Sequence, residues 1–330
     1  MMIKILPLVL LLGSGAFLST PAYALNCGDV VTTNVTLTSN LACVDSNGLT
    51  VGASGITIDL NGYTISCAGL PAGFLGSCQP TVASPSRIGI ASNGHNAVTV
   101  RGPGTITGFD VGVSLINGTG LQALGLTITG PQPSTDFPAS KRLLTVGVLV
   151  NATQCQFSFF APSNAVNVEF NDISQQTQGV QLDNAQCVLV AGNYIHDNAG
   201  FSDTHGIDLI SSSNNIIITN QVLRNGLNAS HPGNGIQVFN ASNGGNSGFN
   251  DLQFNFVTDN CGDGIALLNG AHNNNVATNF ALNNATNPKC GEVGFGFWDL
   301  DGATQGAGNI WNPNNVCKTQ GPGVPAGVCP

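Results

Sequence analysis

The most constraining feature of this chain is a short pattern that recurs along it: a glycine, an apolar residue, any residue, then usually a second apolar one. It begins at Gly89, Gly112, Gly147, Gly179, Gly206, Gly235, Gly264 and Gly296. Successive glycines are 23, 35, 32, 27, 29, 29 and 32 residues apart. A period in this range marks a solenoid, a propeller or an array, in which each unit buries its apolar side against its neighbours.

A second signature lies between the glycines. Asn171, Asn193, Asn220, Asn255 and Asn279 each follow a short apolar or β-branched run, and Asn198, Asn225, Asn260 and Asn284 come five residues after the last four of them. Each unit therefore reads as strand, polar turn, strand, Asn turn, short strand. No window carries a sustained helical stripe. Asn tolerates the left-handed conformation of a sharp turn, and its amide can bond the equivalent Asn of the coils above and below. Propeller blades need four longer antiparallel strands with hairpin signals. The expectation is thus all-β: a single-stranded right-handed parallel β-helix of about ten coils, with an N-terminal cap and a disulfide-closed C-terminal tail. The expected divisions are a secretory signal at 1–24, the cap at 25–44, the β-helix at 45–316 and the tail at 317–330.

The signal reading rests on Lys4, the apolar run Ile5 to Leu18, and Ala22-Tyr23-Ala24 as a small-residue cleavage site. That run is too short to span a bilayer, so no membrane span is expected. Without it the chain keeps 7 Lys and Arg against 17 Asp and Glu. An acidic surface excludes nucleic acid as the natural partner. Ten cysteines fit an oxidising compartment, so the protein is expected to be secreted or periplasmic, and monomeric. Their order suggests that neighbours pair: Cys27 with Cys43, Cys67 with Cys78, Cys155 with Cys187, Cys261 with Cys290, and Cys317 with Cys329. One of these pairs has a geometric warrant. Cys155 and Cys187 each lie eight residues after a repeat glycine. Equivalent positions in adjacent coils stand about 4.8 Å apart, within disulfide reach. No Cys/His cluster has the spacing of a zinc site. Asn-x-Ser/Thr sequons occur at Asn34, Asn117, Asn151, Asn228, Asn240 and Asn284.

With these elements in place, the chain resembles the secreted right-handed parallel β-helix proteins of the pectate-lyase-like superfamily. The resemblance runs from about residue 45 to 316. It is carried by segments such as Gly55-Ile56-Thr57-Ile58-Asp59-Leu60-Asn61-Gly62 and Gly308-Asn309-Ile310-Trp311. It implies a β-helix and a polysaccharide as partner. The superfamily includes lyases, hydrolases, epimerases, phage tailspikes and members of unassigned activity, so the fold does not choose among them. Polygalacturonases carry Asn-Thr-Asp-Gly-Ile-Asp and alginate epimerases Asp-Pro-His-Asp. This chain has Asp203-Thr204-His205-Gly206-Ile207-Asp208, which matches neither in full.

The repeat also supplies a register. Residues one and three after each glycine face the core, and those at −1 and +2 face outward, since side chains alternate along a strand. Stacked coils then give an outward ridge of Val146 and Leu149, Gln178 and Gln181, His205 and Asp208, Asn234 and Gln237, Asp263 and Ala266, Phe295 and Trp298. Amides and carboxylates bond sugar hydroxyls, and an aromatic face stacks on a sugar ring. The expected catalytic residues are His205, as acid or base, with Asp208 or Asp203 orienting it. Gln181, Asn234, Gln237, Asp263, Phe295 and Trp298 are the expected substrate contacts. No metal site and no cofactor are assigned; Ca²⁺ at Asp263, Asp299 and Asp301 is the one alternative. Arg224 is the candidate for neutralising a uronate carboxylate. A non-catalytic surface or binding β-helix is the competing reading of the whole chain.

Overall fold

The computed structural model describes residues 24–44, 46–68, 87–131, 144–153, 166–200, 204–226, 233–241, 245–286, 290 and 298–329. Among them the regular elements are all strands, arranged in three parallel sheets of ten, ten and nine strands. Each coil contributes one strand to sheet A, then one to sheet B, then one to sheet C, and pairs with the coil before and after. The result is a right-handed parallel β-helix. No helix among the described residues is long and apolar enough to cross a membrane.

Identical positions stack from coil to coil. In sheet A, Val113, Val148, Val180, Ile207, Ile236, Ile265 and Leu300 form one continuous column. In sheet C the column is Ile106, Ile128, Ile173, Ile195, Val222, Val257 and Ala281. All are fully buried. Branched aliphatics suit both the pleat and a dry core, so the apolar half of the pattern is explained by stacking alone.

The repeat glycine has a separate cause. It sits where sheet A passes directly behind sheet C. A Cβ on Gly206 would collide with Val222 Cγ1 and come within 2.9 Å of Asn225 Nδ2; Gly179 and Gly235 meet the equivalent atoms one coil away. Here the glycine is required by close approach and not by a left-handed φ.

The Asn residues hold the corners, but not as the sequence suggests. The left-handed residue at the B-to-C corner is the one before the Asn: Phe170, Gly192, Thr219, Phe254 and Thr278 all have φ between 53° and 64°. The Asn that follows turns its side chain inward and is buried. Its amide nitrogen donates to the next Asn Oδ1 along Asn171, Asn193, Asn220, Asn255, Asn279 and Asn315, at 2.9–3.2 Å. A second ladder runs Asn198, Asn225, Asn260, Asn284 and ends on Asp299 Oδ1. A third, Asn215, Asn250, Asn274, Asn309, lines the A-to-B corner. Asn284 is thus a buried ladder member, and its sequon is closed to a glycosyltransferase in the folded protein.

Residues 25–44, expected as a cap, already supply a strand to each sheet: Val30–Val31, Val35–Thr36 and Leu41–Val44. The tail seals the other end, where Gly321 donates to the Leu300 carbonyl. Disulfides join Cys27 to Cys43, Cys261 to Cys290 and Cys317 to Cys329. Cys67 and Cys187 are also disulfide-bonded, while Cys78 and Cys155 lie outside the described residues. Non-reducing peptide mapping is expected to return Cys155–Cys187 and Cys67–Cys78. A Cys67–Cys155 peptide would show that the coil register around residue 155 is wrong.

Candidate functional site

Connections between strands differ sharply by corner. From Glu169 onward each B-to-C connection is two residues long, for example between Ala191 and Tyr194. The long connections, 69–87, 130–145, 152–165, 224–235, 240–250 and 283–299, all enter or leave sheet A. Insertions on a repeat scaffold collect around its working face. That face is the outer side of sheet A, where the polar ridge lies.

Strand pairing puts Val146, Gln178 and His205 in one outward column, and Leu149, Gln181, Asp208, Gln237, Ala266 and Asp301 in the next. The last coil departs from the expected register. Leu300 pairs with Ile265 and Asp301 with Ala266. Trp298 therefore stands in line with Asp263, at the −1 place and not at +2, and Asp299 occupies the place of the repeat glycine. Gly296 is not the repeat residue; it and Phe295 fall outside the described residues, as does Asp203. Asp299 is accommodated there because no further Asn follows. Its Oδ1 accepts from Asn284 and its Oδ2 from the Lys318 and Thr319 amides.

The outward residues are buried rather than solvated: His205 is 5 %, Asp208 3 % and Asp263 6 % exposed. They are wired to one another. Gln178 Oε1 accepts from the His205 amide at 3.1 Å, and His205 Nδ1 from the Asn234 amide at 2.9 Å. Asn234 Oδ1 accepts from the Asp263 amide at 2.8 Å, and Asp263 Oδ1 from the Trp298 amide at 2.6 Å. Asn234 Nδ2 donates to Gln237 Oε1, and Gln237 Nε2 to Asp208 Oδ1. The column is a fourth ladder, of mixed composition.

One of these bonds fixes the tautomer of His205. A backbone amide can only donate, so Nδ1 must carry the lone pair and the ring proton sits on Nε2. In this arrangement His205 accepts through Nδ1 and carries its ring proton on Nε2.

Burial raises three carboxyls at the two ends of sheet A. Burial pushes Asp263 up to about 7, and the neighbouring Asp301 charge adds to the effect. Burial also raises Asp301. Near the other end of the sheet, burial raises Asp110 to about 6 against the opposing pull of Arg87. Like charges and low dielectric both favour the neutral acid. Such groups bind a proton more tightly folded than unfolded. Their contribution to stability is complete below about pH 4 and is lost as pH rises, through about 6 for Asp110 and about 7 for Asp263. The melting temperature is expected to be roughly 5 °C higher at pH 5 than at pH 8. A flat profile between those values would show these carboxyls to be solvated.

The remaining candidates separate from the face. Arg224 lies on sheet C, where Nε and one terminal nitrogen hold both Asp197 oxygens at 2.8 and 2.7 Å. The guanidinium keeps Asp197 below the usual carboxylate range. His196 bridges Asp197 and Asp172 beside it. For Ca²⁺, the carboxylates expected to serve already accept backbone amides: both oxygens of Asp299, Oδ1 of Asp263, and Oδ1 of Asp301 from Ala303. The described residues contain no group of three or more His, Cys, Asp or Glu arranged to hold a metal ion.

Among solved structures, a mutant tailspike protein of E. coli bacteriophage HK620 in complex with a pentasaccharide has a TM-score of 0.50 at 12 % identity, covering 89 % of this chain and 56 % of the tailspike. The GH136 lacto-N-biosidase from Eubacterium ramulus has a TM-score of 0.44 at 11 % identity, covering 87 % and 63 %. The chain thus spans little more than half the length of the tailspike, and the likeness is one of fold. No curated protein matches the sequence. The profile of the family described as "Periplasmic copper-binding protein (NosD)" matches residues 90–315. That span is more than half of the chain and takes in the whole polar ridge, so the chain belongs to the NosD family of parallel β-helix proteins.

Proposed function

We propose that this is an extracytoplasmic protein that acts on a polysaccharide at the outer face of sheet A, with Asp263 as its proton donor. The observation that carries the reading is Asp263 itself: a carboxyl held near 7, beside Asp301 and in line with the partly exposed Trp298. A carboxyl still protonated near neutral pH can give its proton to a departing glycosidic oxygen, while an ionised neighbour takes one from water. Gly321 of the tail fits this end of the face closely; a Cβ there would collide with Asp301 Oδ1 and the Trp298 ring. The oligosaccharide bound by the tailspike is consistent with the reading, as is the periplasmic setting named for the family. The test is to incubate the mature protein with a panel of polysaccharides and measure both binding and chain cleavage. Binding with turnover is expected, and neither on any polymer would overturn the proposal.

Burial of the ridge favours a second reading, in which the same face binds a glycan without transforming it. Binding without turnover would select it.

The family description also names copper. Among the described residues no group of three or more His, Cys, Asp or Glu is placed to hold that ion. Every described cysteine is in a disulfide, His196 uses both ring nitrogens, and His205 Nδ1 is taken by an amide. Met1 and Met2 are the chain's methionines, both outside the described residues. No step is derived through copper.

A further inference from the structure

The tail after the last coil is built against the end of the face that carries Asp263 and Asp301. Residues 318–322 run alongside the strand Leu300–Asp301. The Leu300 amide donates to the Thr319 carbonyl at 3.3 Å, the Gly321 amide to the Leu300 carbonyl at 2.8 Å, and the Gly302 amide to the Pro322 carbonyl at 3.1 Å. Leu300 pairs with Gln320 in the parallel sense, so Gly321 stands beside Asp301 as Asp301 stands beside Ala266. The tail is tied at both ends. Asp299 Oδ2 accepts the Lys318 and Thr319 amides where it starts, and the Cys317–Cys329 disulfide brings its far end back to the same place.

Gly321 differs from the repeat glycines. A Cβ on Gly206 or Gly235 would come within 2.7 Å of a backbone carbonyl oxygen of the next coil. Gly323, two residues further along the tail, has a left-handed φ of 81°, and a Cβ there would meet the Gly302 carbonyl. Those glycines serve the backbone. Gly321 has no left-handed φ, and the three atoms nearest to a Cβ on it all belong to side chains: Asp301 Oδ1, Trp298 Cδ1 at 2.5 Å and Trp298 Cγ at 2.9 Å. The need for glycine comes from the carboxyl and the indole that share this space. Asp301 Oδ1 also accepts the Ala303 amide at 3.1 Å, and the Trp298 amide donates to Asp263 Oδ1 at 2.6 Å. Both groups are thus anchored on their own strand and stopped on the tail side by one bare Cα. In a close-packed interior an added methyl there has to move them.

We infer that Gly321 is a positioning residue of this site: the disulfide-closed tail delivers its bare Cα, which sets the Asp301 carboxyl and the Trp298 ring in their places beside Asp263. This rests on the polysaccharide reading above and deepens it, because the tail then belongs to the site as well as to the end of the solenoid.

The experiment compares wild type, Gly321→Ala and, as control, Ala326→Ser at an exposed place on the same tail. Melting temperature, binding and turnover are measured on the polysaccharide that the wild type accepts. Gly321→Ala is expected to keep the fold, since the methyl displaces two side chains and no backbone, and each coil answers only to its neighbours. It should lower kcat about 10-fold or more, as when a positioned group shifts by a fraction of about 1 Å. It should also move toward acid the pH at which turnover falls, because Asp301 then stands farther from Asp263. A glycine that only supports the fold would leave that pH unchanged. Cys317→Ser together with Cys329→Ser unties the tail and should change both quantities in the same direction. Trp298 gives a readout that needs no substrate: in a Trp311→Phe background, which leaves Trp298 as the one tryptophan, Gly321→Ala should alter the emission. If the wild type binds without turnover, Gly321→Ala should weaken binding roughly 10-fold through Trp298. Turnover, pH dependence, binding and emission all unchanged in Gly321→Ala would overturn the inference and leave the polysaccharide reading standing. An unfolded Gly321→Ala would also overturn it, by making the glycine a requirement of the backbone. Neither binding nor turnover by the wild type would overturn the polysaccharide reading and the positioning role with it, and an emission change would then mark a packing contact alone.

Discussion

Asn255→Ala is expected to melt about 10 °C below the wild type, although it removes only a small polar side chain. Asn255 Nδ2 donates to the Ile217 carbonyl at 2.8 Å and to Asn279 Oδ1 at 3.0 Å. Its Oδ1 accepts from the backbone and side-chain nitrogens of Asn220, both at 3.0 Å. Asn255 is 1 % exposed, so no water replaces these partners. Alanine therefore strands the Asn220 amide and the Ile217 carbonyl in the core, and each orphan costs about 1–3 kcal/mol. With the cavity added, a loss of about 3–5 kcal/mol is expected, at the large end for a point substitution. For a chain of this size that corresponds to roughly 10 °C. In a solenoid the damage enters through the two interfaces the coil makes. Gln253→Ala, two residues away on the outer face of sheet B, should change stability by less than about 0.5 kcal/mol. Thermal melts of both decide the matter; an Asn255→Ala loss under about 1 kcal/mol would mean that the ladder is incidental to stability.

Much of this architecture is legible in the sequence because it repeats. Gly-apolar-x-apolar reports two constraints at once, a strand and a close approach behind it. The Asn spacing reports a fixed corner. What the sequence conceals is which residue of the corner does which task. Asn is a familiar left-handed residue, so its recurrence at a corner points to a left-handed φ. A ladder, however, needs the amide inside, and the left-handed position at this corner points its side chain out. The exposed Phe170, Phe254 and their equivalents take the strained φ, and Asn takes the buried place. The third ladder escaped because the A-to-B connections vary in length, so Asn215, Asn250, Asn274 and Asn309 keep no constant offset from the glycines.

The last coil shows a different limit. Gly296 satisfies the pattern, but the chain pairs through Leu300, because Asp299 can both stand at the glycine's place and terminate the second ladder. A pattern search cannot see that substitution, since it depends on the absence of a following coil. That three-residue shift moves Asp301 onto the face and brings Trp298 into line with Asp263. The sequence groups Asp263 with Asp301 only as candidates for Ca²⁺; the strand pairing makes them neighbours on one face. The His205-Gly206-Ile207-Asp208 segment reads as chemistry because His and Asp flank a glycine. A ladder position needs only an acceptor in reach of the next amide, and Gln178, Asn234 and Asp263 supply it as readily as His205.

The interchangeability of these acceptors sets up the sharpest test of the site. Asp263→Asn is expected to lose at least about 10²-fold in turnover on whichever polysaccharide the wild type cleaves, as for loss of a positioned acid. The fold should survive, because an Asn Oδ1 can accept from the Trp298 amide as Asp263 Oδ1 does, and Asn234 already makes the same bond one coil earlier. Stability should move the other way. At pH 8 the wild type carries a buried carboxylate near Asp301 that the amide lacks, so the variant is expected to melt higher than the wild type there. At pH 5, where Asp263 is protonated, the two should nearly coincide. In the wild type, turnover should fall as pH rises through about 7, the range in which Asp263 loses its proton. His205→Asn is the companion. It preserves an acceptor for the Asn234 amide and should retain most of the turnover, whereas an enzyme using His205 as its base would lose it. Full activity in Asp263→Asn together with loss in His205→Asn would return the chemistry to the His205 segment and assign Asp263 to the ladder alone.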